Sequence, residues 1–483
     1  MPAARTTAAA LLAASLATAA GLVAPTPAHA ASCASAADND FDGDGLRDLA
    51  VGSPFATGGG RVTVAYSSGA TVVIDQQTAG VPGSGADGDF FGFALASYDR
   101  DLDGCDDLVV GGPGKLAGGQ PHAGMVWVIP GAAGGLNPAA TAILTQNSTG
   151  FPGSPEAEDQ FGYSVAAGNF GAQPYLAIGS PGETHAAGTN NAGMVHYQRG
   201  STIVGVSQNT AGVPGVPEFG DRFAETLATT PTHIVVGAPG EDGSQGTTQV
   251  FDHRLTDGHL THRLTVDQDT DRITGAGEPG DRYGGQLSAI AYRPAGGSTG
   301  TLMAVSVTGE DVRSNTVADA GMVHAIYVAP DGGYRQIAEY SQDASGVEGE
   351  PGADDEFGRT VLLTNTGTAT YGTPSATTLT VAARGSESPD PRMGTLQVFR
   401  LAGTPGDGDL WIAPGTHGLP ANAIGGNTRI GSSREYLLVE GHLPDGVAPA
   451  VHGVRWSDLL AGRSPAARTW PLPGPGALIW SIA

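Results

Sequence analysis

A chain of 483 residues is longer than one ordinary compact core, and 76 Gly with 33 Pro argue against a mainly helical fold. A hydrophobic share of 40% is too high for a disordered chain. With 48 acidic against 23 basic side chains, the net charge is -25, so the surface repels phosphate backbones and no nucleic-acid partner is expected, while metal cations remain compatible.

Residues 1–30 read as an address. Arg5 is followed by an apolar stretch over 8–23 and then by Ala28, His29 and Ala30. These are the positive region, hydrophobic region and small-x-small site of a secretory signal peptide. Cleavage is expected before Ala31, leaving a secreted chain with no segment of the ~20 apolar residues that a membrane span requires. Two cysteines remain, Cys33 and Cys105. In an oxidising compartment the pair is expected to form one disulfide, two buried thiols being the alternative.

From residue 38 onward the sequence repeats. Asp89-Phe90-Phe91-Gly92, Asp159-Gln160-Phe161-Gly162, Asp221-Arg222-Phe223, Asp281-Arg282-Tyr283-Gly284 and Asp355-Glu356-Phe357-Gly358 share one opening. An apolar run ending in a turn recurs after each, as in Leu108 to Pro113, Ala177 to Pro181 and Val235 to Pro239. Gly124-Met125-Val126, Gly193-Met194-Val195 and Gly321-Met322-Val323 mark a further segment. Each unit holds about four short β-branched segments separated by Gly/Pro turns, the pattern of one four-stranded blade. One unit starts near Asp38, five carry the aromatic opening, and a worn one occupies about 425–483. The expectation is an all-β fold: a single seven-bladed β-propeller over 31–483, with six blades as the alternative if the last segment only closes the ring. Acid pairs such as Glu241-Asp242 and Glu310-Asp311 recur with the repeat and read as loop residues.

Two loops gather the acid. Asp40, Asp42, Asp44 and Asp48 have the spacing D-x-D-x-D-G-x-x-D, and Asp99, Asp101, Asp103 and Asp107 repeat it. A hard divalent cation takes six to eight oxygens, which alternating carboxylates on a tight loop supply. The glycine at position six permits the turn, and Leu46 and Cys105 at position seven offer backbone carbonyls. Ca²⁺ suits this donor set better than Mg²⁺, which keeps more water. Position twelve is Val51 or Val110 rather than Glu, and a strand follows each loop, so an EF-hand does not fit. Two calcium ions are therefore expected. A Cys33–Cys105 bridge would require residues 31–38 to reach the second unit's loop instead of forming an inner strand.

The Phe-Gly openings, the two acidic loops and the Val-Gly-x-Pro turns resemble FG-GAP repeats, such as those of the propeller of integrin α subunits and similar bacterial exported proteins. The resemblance covers about 38–400 and is weak over 401–483. It implies calcium on hairpin loops and extracellular binding or adhesion. Later repeats lack the acidic loop, and no leg domain or membrane anchor is expected. The sequence holds no H-E-x-x-H and no P-loop motif, and its 12 His lack metal-ligand spacing. The expected function is thus a non-catalytic, monomeric binding module for an extracellular protein or glycan. The alternative is an extracellular hydrolase or lyase with its site in the propeller funnel.

Overall fold

The computed structural model describes Cys33 and residues 38–186, 188–384, 393–426, 428–441, 449–472 and 481–482. The leader expected at 1–30 lies outside the described residues. Seven four-stranded antiparallel sheets follow one another in chain order, giving a seven-bladed propeller. The second blade shows the plan: Ala94–Tyr98 innermost, then Asp107–Gly112, Met125–Ile129 and Ala142–Leu144 outermost. The innermost strands of successive blades pack against each other around the axis.

The last segment forms a full blade and also closes the ring, so the blades number seven and not six. Ile430–Ser432, Tyr436–Glu440, Ala450–Arg455 and Arg468–Pro471 form a seventh blade. Ser481–Ile482 then becomes the innermost strand of the first blade, pairing with Leu49–Ser53 through Val51↔Ile482 and Gly52↔Ser481. The first blade therefore combines strands from both ends of the chain, and the ring is closed by hydrogen bonds. Ile482 packs against the cluster of Leu49, Val51, Tyr436 and Leu438, which joins blade seven to blade one.

The aromatic openings are wedges between blades. Phe91, Phe161, Phe223, Tyr283 and Phe357 are buried. Phe91 meets Trp127 edge-on with ring centroids 4.9 Å apart. Full burial of each such ring contributes about 1.5–3 kcal/mol. The backbone of the same residue crosses to the preceding blade, as where Phe161 N donates to Ala123 O (2.9 Å). A Cβ on Gly124 (φ +88°) would lie 2.2 Å from Phe161 O, so only glycine permits this approach.

Candidate metal centre

In the second blade the acidic loop joins the innermost strand to its neighbour, at the end of the ring remote from the aromatic openings. The loop at 40–48 takes the same place in the first blade, where the innermost strand comes from the C-terminal segment. In loop 40–48 the side chain of Asp40 organises the turn. Its Oδ1 accepts from Gly43 N (2.8 Å) and Asp44 N (3.1 Å), and its Oδ2 from Gly45 N (2.8 Å). Gly45 has φ +83° and Gly104 φ +95°, so the sharp turn at position six is present in both loops. In the second loop Asp99 plays the Asp40 part, accepting from Asp103 N (3.1 Å) and Gly104 N (3.0 Å).

The carboxylates converge in part. Asp40, Asp42 and Asp48 each place an oxygen within 4.8 Å of the others, as do Asp99, Asp101 and Asp103. Asp44 and Asp107 stand outside these trios. Asp44 Oδ2 accepts from Ser67 Oγ (2.5 Å), and its Oδ1 from Leu46 N (2.7 Å). Asp107 is buried and caps two backbone groups, Gly131 N (2.9 Å) and Arg100 N (3.1 Å). Asp48 is bifunctional, joining the trio while accepting from Phe41 N (2.9 Å) and Ser67 N (2.8 Å). Leu46 has an exposed side chain, so only its carbonyl could act as expected.

The electrostatics mark a cost. Burial pushes Asp48 up to about 7, with the Asp42 and Asp40 charges adding to it. Burial likewise lifts Asp107 to about 7 and Asp106 to about 6. Asp42 and Asp99 are raised as well, by burial first and then by neighbouring acids against opposing backbone hydrogen bonds. Crowded oxygen acceptors that lean toward the protonated form suit a divalent cation, which would stabilise the charged carboxylates.

The two loops are joined. Cys33 and Cys105 are disulfide-bonded, with Cα atoms 5.3 Å apart across a sequence separation of 72. Cys33 lies over Gly43, where a Cβ would come within 2.7 Å of the Cys33 Cβ. Asn39 N donates to Asp106 Oδ2 (2.7 Å), and Asp106 N to Asp40 O (2.9 Å). Asn39, Ser67 and Asp106 escaped the sequence reading. Asp106 sits next to a ligand position, where its acidity was indistinguishable from the motif's.

Glu241 and Glu310 lie between strands as expected, and each is held by a glutamine side chain. Glu241 is buried and bonded to Gln208, and Glu310 is bonded to Gln268. Among the histidines, His196, His233 and His324 are fully buried on strands. Burial holds His196 down to about 3 and the other two to about 4, so they are neutral fillers of the blade interior.

At the opposite end of the ring a polar cavity of about 420 Å³ is lined by Glu225, Arg282, Glu356, Arg359 and Arg429, among others. No helix among the described residues is long and apolar enough to cross a membrane.

Comparison with known proteins adds three findings. Residues 34–65 match the FG-GAP repeat family. A 92-residue stretch is 37% identical to phosphatidylinositol-glycan-specific phospholipase D of Bos taurus, spanning 19% of this chain and 11% of that protein. A Bacteroides uniformis crystal structure proposed to be a 6-phosphogluconolactonase aligns over 90% of this chain and 98% of its own, with 10% identity and a TM-score of 0.43.

Proposed function

We propose that this chain, which carries an FG-GAP repeat on a seven-bladed propeller, is a secreted, calcium-stabilised binding module for an extracellular protein or glycan. The observation that carries the reading is the pair of adjacent loops, each bringing three carboxylates within 4.8 Å, cross-linked by Cys33–Cys105. Asp40, Asp42 and Asp48 would hold one ion and Asp99, Asp101 and Asp103 the other. Bound calcium would neutralise the trios and hold the first two blades in register. The disulfide fits an extracellular setting.

The test is binding of the exported chain to a glycan and matrix-protein array in calcium and in EGTA. Calcium-dependent capture that Asp42→Asn and Asp101→Asn abolish supports the reading. Capture that is indifferent to calcium separates ligand binding from the metal.

A second reading, an extracellular hydrolase or lyase, draws on the name of the bovine relative and on the polar cavity remote from the loops. Arg282 and Arg359 there suit an anionic group, which would compete with Glu225, paired with Arg222 and Arg282, and with Glu356, paired with Arg359 and Arg384. Turnover of a phosphodiester or glycoside substrate, lost in Glu356→Gln, would establish it.

A further inference from the structure

A second set of buried acids recurs away from the acidic loops. Where the second blade meets the third, Gln146, Asp159 and Glu183 are 3%, 1% and 6% exposed. Gln146 follows the outermost strand of blade two, Asp159 opens blade three, and Glu183 follows its second strand, Gln173–Ser180. Gln146 Nε2 donates to Glu183 Oε2 (2.6 Å). Gly182 N donates to Asp159 O (3.1 Å), which sets Glu183 beside Asp159. Gln208, Asp221 and Glu241 repeat this arrangement at the next boundary, with Gln208 Nε2 at 2.5 Å from Glu241 Oε2. Gln268, Asp281 and Glu310 repeat it again, also at 2.5 Å.

These clusters hold acceptors without donors. Gln146 Oε1, Gln208 Oε1, Gln268 Oε1 and Asp159 Oδ1 are buried with no hydrogen-bond partner. A buried acceptor left bare costs about 1–3 kcal/mol, and a buried charge costs more.

The boundary between blades one and two shows how the fold meets the same demand with a side chain. Gln76 Nε2 donates to Asp89 Oδ2 (3.0 Å), matching the glutamine of the other clusters. The residue in the Glu183 position is Lys115, the chain's single lysine. Its Nζ lies 2.8 Å from Asp89 Oδ2 and 2.6 Å from Ser84 O. There one carboxylate meets one ammonium and the charges cancel, although Gln76 Oε1 is likewise bare. In the other three clusters two carboxylates face each other, and a divalent ion restores the same balance. An all-oxygen set of two carboxylates and an amide suits calcium.

We propose that the Gln146–Asp159–Glu183 cluster and its repeats at Gln208–Asp221–Glu241 and Gln268–Asp281–Glu310 each bind one divalent cation, calcium, at the place that Lys115 fills one boundary earlier. These sites are separate from the acidic loops and stand or fall independently of them.

Calcium stoichiometry of the full chain at pH 7.5, by equilibrium dialysis with elemental analysis, tests this. The wild type is expected to bind five ions: two on the loops and three between blades. Asp42→Asn with Asp101→Asn should retain three, and the triple variant Glu183→Gln, Glu241→Gln, Glu310→Gln should retain two. Glu183→Lys, which copies the natural solution at Lys115, should fold and lose one ion. The proposal is overturned if the loop variant binds none, or if the triple variant binds as many as wild type. Wild-type binding of two ions that the loop variant abolishes would overturn it while leaving the loop sites intact.

Discussion

Removing the Cys33–Cys105 bridge tests how the ring protects its beginning. The bond closes a loop with a sequence separation of 72. In the chain-entropy treatment a loop of this length restricts the unfolded ensemble by about 4 kcal/mol at 25 °C. The perturbation is Cys33→Ala with Cys105→Ala, alanine being chosen because Cys105 is fully buried and a serine hydroxyl would be left bare. The native contacts between the loops, Asn39 N to Asp106 Oδ2 and Asp106 N to Asp40 O, do not depend on the sulfurs, so the loss falls mainly on the unfolded state. Guanidinium unfolding in EGTA should show the first transition moving to lower denaturant by the equivalent of about 4 kcal/mol. Wild-type chain with the bond reduced should show a similar loss, since it keeps both sulfurs and isolates loop closure from packing. An unchanged transition in both would refute the reasoning, as would two free thiols in the non-reduced peptide map.

Three further outcomes follow from the packing. Ile482→Asp should open the ring at its closure, because the side chain sits among Leu49, Val51, Tyr436 and Leu438; a cost of at least about 2 kcal/mol is expected, read as faster hydrogen exchange in Leu49–Ser53. Phe161→Ala should cost about 3–5 kcal/mol in chemical denaturation, since the ring is fully buried between blades two and three. The third outcome concerns pH. Burial holds His196 to about 3 and His233, His253 and His324 to about 4. The folded chain then binds fewer protons than the unfolded chain between about 6.5 and 4, so these groups withdraw stability as the pH falls through that window. Ring-labelled NMR should find all four neutral at pH 5; a midpoint near 6.5 for any of them would contradict its burial.

Much of this architecture was written locally. The aromatic openings announce the blades because each needs the same wedge and the same glycine across from it, as Phe161 needs Gly124. The acidic loops announce themselves because alternating carboxylates around a positive-φ glycine leave a periodic trace. The closing strand did not, because Ser481–Ile482 is two residues long and takes its identity from Val51 and Gly52 at the other end of the chain. Nor did the inter-blade clusters. Glu183 and Glu241 look like solvated turn residues until Gln146 and Gln208, 37 and 33 positions earlier, are folded onto them. A glutamine just ahead of a Gly-x-Pro-Gly turn, at 76, 146 and 208, and ahead of the variant turn Asp271 to Gly275, at 268, was the available signal. The division of labour within the loops was also hidden. Equal spacing gave no sign that Asp44 would turn to Ser67 or that Asp107 would cap Gly131. The acid excess reads differently as a result, since Asp89, Asp159, Asp221, Asp281 and Asp355 are interior groups and not a solvated coat.

The central claim is that the two loops bind calcium, and differential scanning calorimetry of the full chain tests it most directly. Wild type and the Asp42→Asn, Asp101→Asn variant are each scanned in millimolar calcium and in EGTA. Each filled site stabilises the fold by about 2.7 kcal/mol when calcium is a hundredfold above its dissociation constant. The account predicts a higher wild-type melting temperature in calcium and a clearly smaller rise in the variant. Wild-type curves that superimpose in calcium and EGTA would contradict it.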